Sequence, residues 1–130
     1  MARPAPPGPP PAAARIAALA RGAAAEPAAG NLLRRHGLVI LGRNLRWRAA
    51  ELDIVAREAD TIVFVEVRYR VSRGTAARSI DAAKRGRIRL AAQHYLLRFA
   101  DRWPPCRFDV VLVAGGRLQW RRSAFTMDEE

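Results

Sequence analysis

Between residues 38 and 68 the apolar positions fall in short, strand-like runs rather than at helical spacing. Leu38-Val-Ile-Leu41 is the first. Glu51-Leu-Asp-Ile-Val-Ala-Arg57 and Thr61-Ile-Val-Phe-Val-Glu-Val-Arg68 follow, both rich in Val and Ile, with the polar stretch Glu58-Ala-Asp60 between them. Helical patterns flank these runs. One spans Pro27 to His36 and closes at Gly37, a good C-cap residue. The other spans Ser79 to Ala100, where Ile80, Lys84, Ile88, Ala91 and Tyr95 form a single stripe. Pro104-Pro105 separates it from a strand, Arg107 to Val113, and Gly115-Gly116 leads into a short last strand, Arg117 to Trp120. The predicted order is α-β-β-β-α-β-β, an α/β sandwich with a mixed central sheet and helices on both faces.

The two central runs read as a hairpin. If its turn is centred between Ala59 and Asp60, Asp53 faces Glu66 and Glu51 faces Arg68. Alternation then puts these four charges on one face together with Val55, Ile62 and Phe64, and puts Leu52, Ile54, Val63, Val65 and Val67 on the other. Ala-Asp is a poor two-residue turn, so a four-residue loop, Glu58 to Thr61, is expected at the same centre. The alternative is an ordinary solvated charged face. Apolar residues on both faces argue against it, because such a sheet is covered on both sides and the charges then lie in a cleft. Two carboxylates opposed at about 4.5–5.5 Å repel, and a divalent cation with oxygen ligands relieves that repulsion.

Glu51-Leu-Asp-Ile-Val55 followed by Val63-Phe-Val-Glu-Val-Arg-Tyr-Arg70 resembles the YraN family of small bacterial proteins. Glu26, Ala29, Leu33 and Gly37-Leu38 fit its first helix and turn, and Asn44, Lys84 and Arg107-Phe-Asp-Val-Val111 fall in place around the core motif. The family is assigned to the PD-(D/E)xK nuclease superfamily and compared with archaeal Holliday-junction resolvases. The resemblance implies a restriction-endonuclease-like fold and a metal-dependent nuclease. Asp53 and Glu66 would hold Mg²⁺ or Mn²⁺, with the Val67 carbonyl and Glu26 as further candidate ligands. Two positions depart from the pattern: Arg68 stands where the superfamily has lysine, and Ala50 where a glycine is usual. Arg68 would stabilise transition-state charge, and Glu51 would orient Arg68 or bind water. Lys84, the only lysine in the chain, would supply an amine from the following helix. Glu26 precedes Pro27, which places it just before the helix if proline takes the first helical position. A structural role for Glu26 is equally open, and for Asp109 a hydrogen-bonded structural carboxylate is the expected reading.

Composition adds a partner. The net charge is +11, with 23 basic residues against 12 acidic ones. A GC-rich genome accounts for arginine over lysine, but not for the excess of cations. Nucleic acid is the expected partner, with DNA favoured, and Arg70, Arg73 and Arg78 are candidates for phosphate contacts. A homodimer is compatible with the sequence.

A lone cysteine, Cys106, allows no internal disulfide and suits a cytoplasmic protein. His36 and His94 are isolated and read as surface or boundary residues. No apolar run is long enough to span a membrane, and Arg15 with the preceding prolines argues against a secretory signal. The expected organisation is a Pro/Ala-rich head over residues 1–21, one domain over 22–126 and an acidic tail over 127–130. Two functions stand: a nuclease hydrolysing phosphodiester bonds in branched or structured DNA, or a nucleic-acid-binding module with a degenerate site. An adaptor with an incidental basic surface has little motif support.

Overall fold

The computed structural model describes residues 24–70 and 80–127. Arg73, Arg78, the head and residues 128–130 lie outside the described residues, as does the side chain of Arg70. The described elements are α1 (Ala25–Arg35), β1 (Val39–Trp47), β2 (Ala50–Glu58), β3 (Thr61–Arg70), α2 (Ala82–Leu96), β4 (Cys106–Ala114) and β5 (Arg117–Phe125).

The five strands form one sheet in sequential order. The β1–β2, β2–β3 and β4–β5 pairs are antiparallel, and β3–β4 is parallel. A parallel pair needs a long crossover, which α2 supplies. Each face of the sheet is covered by one helix, giving an α/β sandwich. Beneath α2 lie Leu52, Val55, Ile62 and Phe64 with Ile88, Ala91, Tyr95 and Leu96. Phe64, Phe108 and Phe125 stack in series, and Tyr95 meets Phe64 edge-on. Beneath α1, Ala29, Leu33 and Leu38 pack on Ile54, Ala56, Val63, Val65 and Val111. No helix among the described residues is long and apolar enough to cross a membrane.

The helix ends follow local chemistry. Acidic Glu26 lies in the first turn of α1 and Arg34 and Arg35 in the last, complementing the helix dipole. Gly37, at φ +89°, closes α1, with Leu38 N–H donating to the Leu33 carbonyl and Gly37 N–H to the Arg34 carbonyl. Helix α2 begins later than the apolar stripe predicts. Asp81 caps it by accepting from the Lys84 N–H at 2.8 Å. Its end, extended by the sequence reading to Ala100, loosens after Leu96 into i→i−3 bonds at Leu97, Arg98 and Phe99.

The β2–β3 hairpin has the expected centre, with Glu58 paired to Thr61 and Ile54 to Val65. Its loop is the two residues Ala59-Asp60 rather than four, and Ala59 accepts a left-handed φ of 53° to make it. The edge strands are longer than their apolar runs. β1 continues through Gly42 to Trp47, a stretch with three polar residues, and β5 continues to Phe125.

Besides the register shifts between Ile40 and Gly42 and between Phe108 and Val110, strict alternation fails on β2. Leu52 and Ala50 lie on the α2 side with Val55, not on the α1 side with Ile54. On β1, Arg43 pairs with Ile54 and Leu45 with Leu52, so Asn44 and Asp53 are skipped together. Asn44 has φ 52°, a conformation that asparagine tolerates better than most residues. Both strands switch faces here by one residue, so the register survives while the Asp53 backbone is turned.

Candidate metal centre and phosphate cleft

The site begins where the central hairpin opens. The β2–β3 ladder ends at Ile54–Val65, and the next step is made by a side chain: Val67 N–H donates to Asp53 Oδ2 at 2.8 Å. Backbone pairing therefore does not extend to Asp53–Glu66 or to Glu51–Arg68. The side chains of Asp53 and Glu66 nevertheless lie close enough to line one cleft, and the Glu66 charge acts on the Asp53 carboxyl. Glu51 is the rung partner of Arg46 on β1, with their charged groups 3.6 Å apart, rather than of Arg68 on β3.

Carboxylates converge on this fork from three elements. Ligand oxygens of Glu26, Glu51 and Asp53 all lie within 4.8 Å of one another. Glu26 reaches the cluster from inside the first turn of α1, not from a position before the helix. The helix starts at Ala25, two residues earlier than proline at the first position would give. Pro27 is tolerated there because first-turn N–H groups have no helical acceptor.

Glu66, only 7% exposed, accepts a charged hydrogen bond from Lys84 Nζ at 2.7 Å. The Asp81 cap and the buried stripe of α2 set the direction of Lys84, and its ammonium is the group that offsets the Glu66 charge. Arg68 follows Glu66 by two residues on β3 and so shares its face.

The electrostatics follow from crowding. Burial pushes the Asp53 carboxyl up to about 8, and the negative charge of Glu66 adds to the shift. The Val67 amide opposes it, while the Glu66 hydrogen bond and the Glu26 charge reinforce it. Oxygen ligands at this spacing, held by α1 and β2, suit a hard divalent cation. The donor set thus fits Mg²⁺ or Mn²⁺. Of Val67, the structure ties the amide to the cluster.

A cleft of about 280 Å³ opens beside these groups, lined by Glu51, Asp53, Glu66, Lys84 and Arg87 among others. Arg87 follows Lys84 by three residues, and its place at the cleft was legible only once Lys84 was known to point into it. Asp109 plays no part there. It is fully buried and accepts from Arg107 Nε at 3.0 Å, Trp120 Nε1 at 2.9 Å and Ser123 N–H at 2.9 Å. Arg107 also donates to Glu58 at 2.7 Å. Hydrogen bonds from Arg107 and Arg122 hold the Glu58 carboxyl below its ordinary range. Asp109 is a structural carboxylate.

Comparison with known proteins covers the four carboxylates, Lys84 and Arg87. The model of an uncharacterised protein family, UPF0102, matches residues 25–113. A UPF0102 protein of Cupriavidus pinatubonensis is 51% identical over 112 residues, covering 84% of this chain and 87% of that protein. One from Paracidovorax citrulli is 49% identical over 124 residues, 91% of each chain. One from Dechloromonas aromatica is 48% identical over 112 residues, covering 85% of this chain and 92% of the relative.

Proposed function

The chain belongs to the UPF0102 family, the YraN family, and on that premise we propose that it is a metal-dependent nuclease that hydrolyses phosphodiester bonds in structured DNA. The observation that carries this reading is the clustering of Glu26, Glu51 and Asp53 at a cleft that Glu51, Asp53 and Glu66 line together with Lys84 and Arg87. Phosphate would be repelled by the carboxylates alone, and a divalent cation reconciles the two. Bound there, Mg²⁺ or Mn²⁺ would polarise the scissile phosphate and lower the pKa of an attacking water.

The chain's own residues supply the rest. Asp53 is held by the Val67 amide, which fixes the direction of its carboxyl group. Lys84 holds Glu66 in place and brings positive charge to the cleft. Arg68, on the Glu66 face, is the proposed partner for negative charge that grows on the phosphoryl oxygens. Arg87 at the wall is suited to holding a neighbouring phosphate.

A second reading, a nucleic-acid-binding module that no longer turns over, draws on one feature: Arg68 occupies the strand position where the superfamily has lysine. The contact between Lys84 and Glu66 weighs against it, since the missing amine is delivered to the same carboxylate from α2.

The test is cleavage of a panel of labelled branched, flapped, single-stranded and duplex DNAs with Mg²⁺ and with Mn²⁺, with Asp53→Asn as control. Metal-dependent products from wild type that Asp53→Asn abolishes support the nuclease. Tight binding with no products under either metal supports the binding module.

A further inference from the structure

A second cleft, of about 180 Å³, lies between the end of β1 and the C-terminal half of α2. Its floor is apolar, formed by Leu45, Leu52 and the buried Tyr95. One wall is the Trp47 indole with the exposed His94 ring stacked on it, centroids 4.9 Å apart and planes 19° from parallel. On the opposite rim, Arg98 lies with its guanidinium carbon 3.7 Å from the Tyr95 ring centroid, and its Nε is anchored to the Tyr95 carbonyl at 3.1 Å. Arg48 lies over Trp47, and Arg46 is part of the lining. No carboxylate lines this cleft. It combines flat ring surfaces, an apolar floor and a cationic rim, features that match a ligand with a flat ring attached to an anion.

The two clefts are joined through β2. Leu52 floors this one, while its chain neighbours Glu51 and Asp53 line the carboxylate cleft. Arg46 ties them further, since it borders this cleft and pairs with Glu51 of the other at 3.6 Å. A strand advances about 3.3 Å per residue, so the step from Leu52 to Asp53 is shorter than one nucleotide.

We propose that this cleft receives an unpaired nucleobase next to the phosphate held at the carboxylate cluster. The inference rests on the nuclease reading and narrows its substrate class. A base inside a duplex is stacked on both sides and cannot enter, so the strand must be single or splayed at the site of cleavage. The base inserts between the Trp47–His94 wall and the Arg98–Tyr95 rim. Arg46, Arg48 and Arg98 meet the backbone that carries it.

The experiment uses full-length Asp53→Asn protein, which cannot complete turnover, and a short labelled single-stranded DNA. Matched strands each carry one abasic position, stepped along the sequence, and the duplex is measured beside them. Loss of the base at one position is expected to weaken binding by about 5- to 100-fold, the range that base–aromatic stacking supplies. Trp47→Ala should weaken the intact strand similarly and erase the difference from the abasic one. Arg98→Ala, at an exposed residue whose loss leaves the core intact, should do the same in part, which guards against misfolding of the Trp47 variant. The duplex should bind more weakly than the single strand.

The proposal is overturned if every abasic strand binds like the intact one. It is equally overturned if Trp47→Ala and Arg98→Ala both leave affinity and base discrimination unchanged. Wild-type cleavage with Mn²⁺ separates the two levels. Cleavage that ignores abasic positions rejects the base site and leaves the nuclease standing. Base-selective binding without any cleavage supports the site and rejects turnover.

Discussion

Val67 donates its backbone N–H to the side chain of Asp53, at 2.8 Å, one step beyond the last backbone rung of the central hairpin. The carboxylate takes the place that a strand carbonyl would fill in a continued ladder. The strands can therefore part without leaving a buried amide unpaired, which would cost about 1–3 kcal/mol. The fork that results is the space into which Glu26, Glu51 and Glu66 reach.

The first prediction concerns turnover. Asp53→Asn and Glu66→Gln keep the shape of each side chain and remove its charge. Each should lower metal-dependent cleavage by at least ~100-fold, roughly 3 kcal/mol of transition-state stabilisation. Without metal, nucleic-acid affinity should hold for Asp53→Asn, whose carboxyl keeps its proton up to about pH 8, and should hold or rise for Glu66→Gln, which removes a carboxylate from the cleft. Single-turnover cleavage and fluorescence anisotropy on the same labelled strand check both halves. Parallel loss of cleavage and binding would contradict the assigned roles.

The pH dependence of stability offers a second check. In the folded, metal-free protein Asp53 holds its proton up to about pH 8, whereas in the unfolded chain it releases it near 3.8. Between those values the folded state binds more protons, so stability falls as pH rises and reaches its lowest level above about 8. Urea denaturation in EDTA from about pH 5 to about pH 9 should show this decline. Asp53→Asn should flatten it, and Mn²⁺ should raise stability most at the alkaline end. A wild-type curve that rises through the same window would contradict the crowded, partly protonated cluster.

Lys84 separates positioning from charge. Lys84→Ala frees Glu66 and leaves its buried carboxylate without its cation. A fall in cleavage of about 10- to 100-fold is expected, the usual effect of removing a group that orients a metal ligand. Lys84→Arg keeps the charge on a planar head that cannot reproduce a compact ammonium. It should restore only part of the loss. Full activity of Lys84→Ala would show that the 2.7 Å contact with Glu66 is incidental.

Asp109 and Ala59 predict stability effects away from the site. Asp109→Ala removes the acceptor of Arg107 Nε, Trp120 Nε1 and the Ser123 N–H while Arg107 keeps Glu58, and should cost about 1–3 kcal/mol. Ala59→Gly relieves the left-handed turn at φ 53° and should add about 1 kcal/mol. Neither should alter Mn²⁺ affinity. Denaturant midpoints together with metal titration distinguish these outcomes from a role for Asp109 in the cluster.

Much of this was legible in the sequence because burial writes a plain pattern. The hairpin centre followed from two apolar runs around Glu58-Ala-Asp60, and the α2 stripe placed Lys84 beside the sheet. The face of Leu52 was misread, because alternation assumes an unbroken strand and the paired irregularity at Asn44 and Asp53 is set by tertiary contact. Asn44, a residue that tolerates positive φ, was the one local hint. The lengths of β1 and β5 were short-read for a different reason. Edge strands have mixed stretches such as Gly42 to Arg46, where Leu45 stands alone among polar residues and gives a weak apolar signal. Glu26 was displaced by a rule that Pro27 obeys loosely, since proline fits anywhere in the first turn. Trp47 and His94 are distant in sequence, and only the packing of α2 against β1 joins them.

Calorimetric titration of metal-free full-length protein with Mn²⁺ tests the central claim most directly, since it reads the carboxylate cluster without depending on any substrate. Wild type should bind one ion at the cluster, with affinity that rises as pH approaches 8 and Asp53 loses its proton. Asp53→Asn should abolish that site, and Glu66→Gln, Glu51→Gln and Glu26→Gln should each weaken it. Absence of binding by wild type, or binding that Asp53→Asn leaves unchanged, would contradict a metal centre at the hairpin fork.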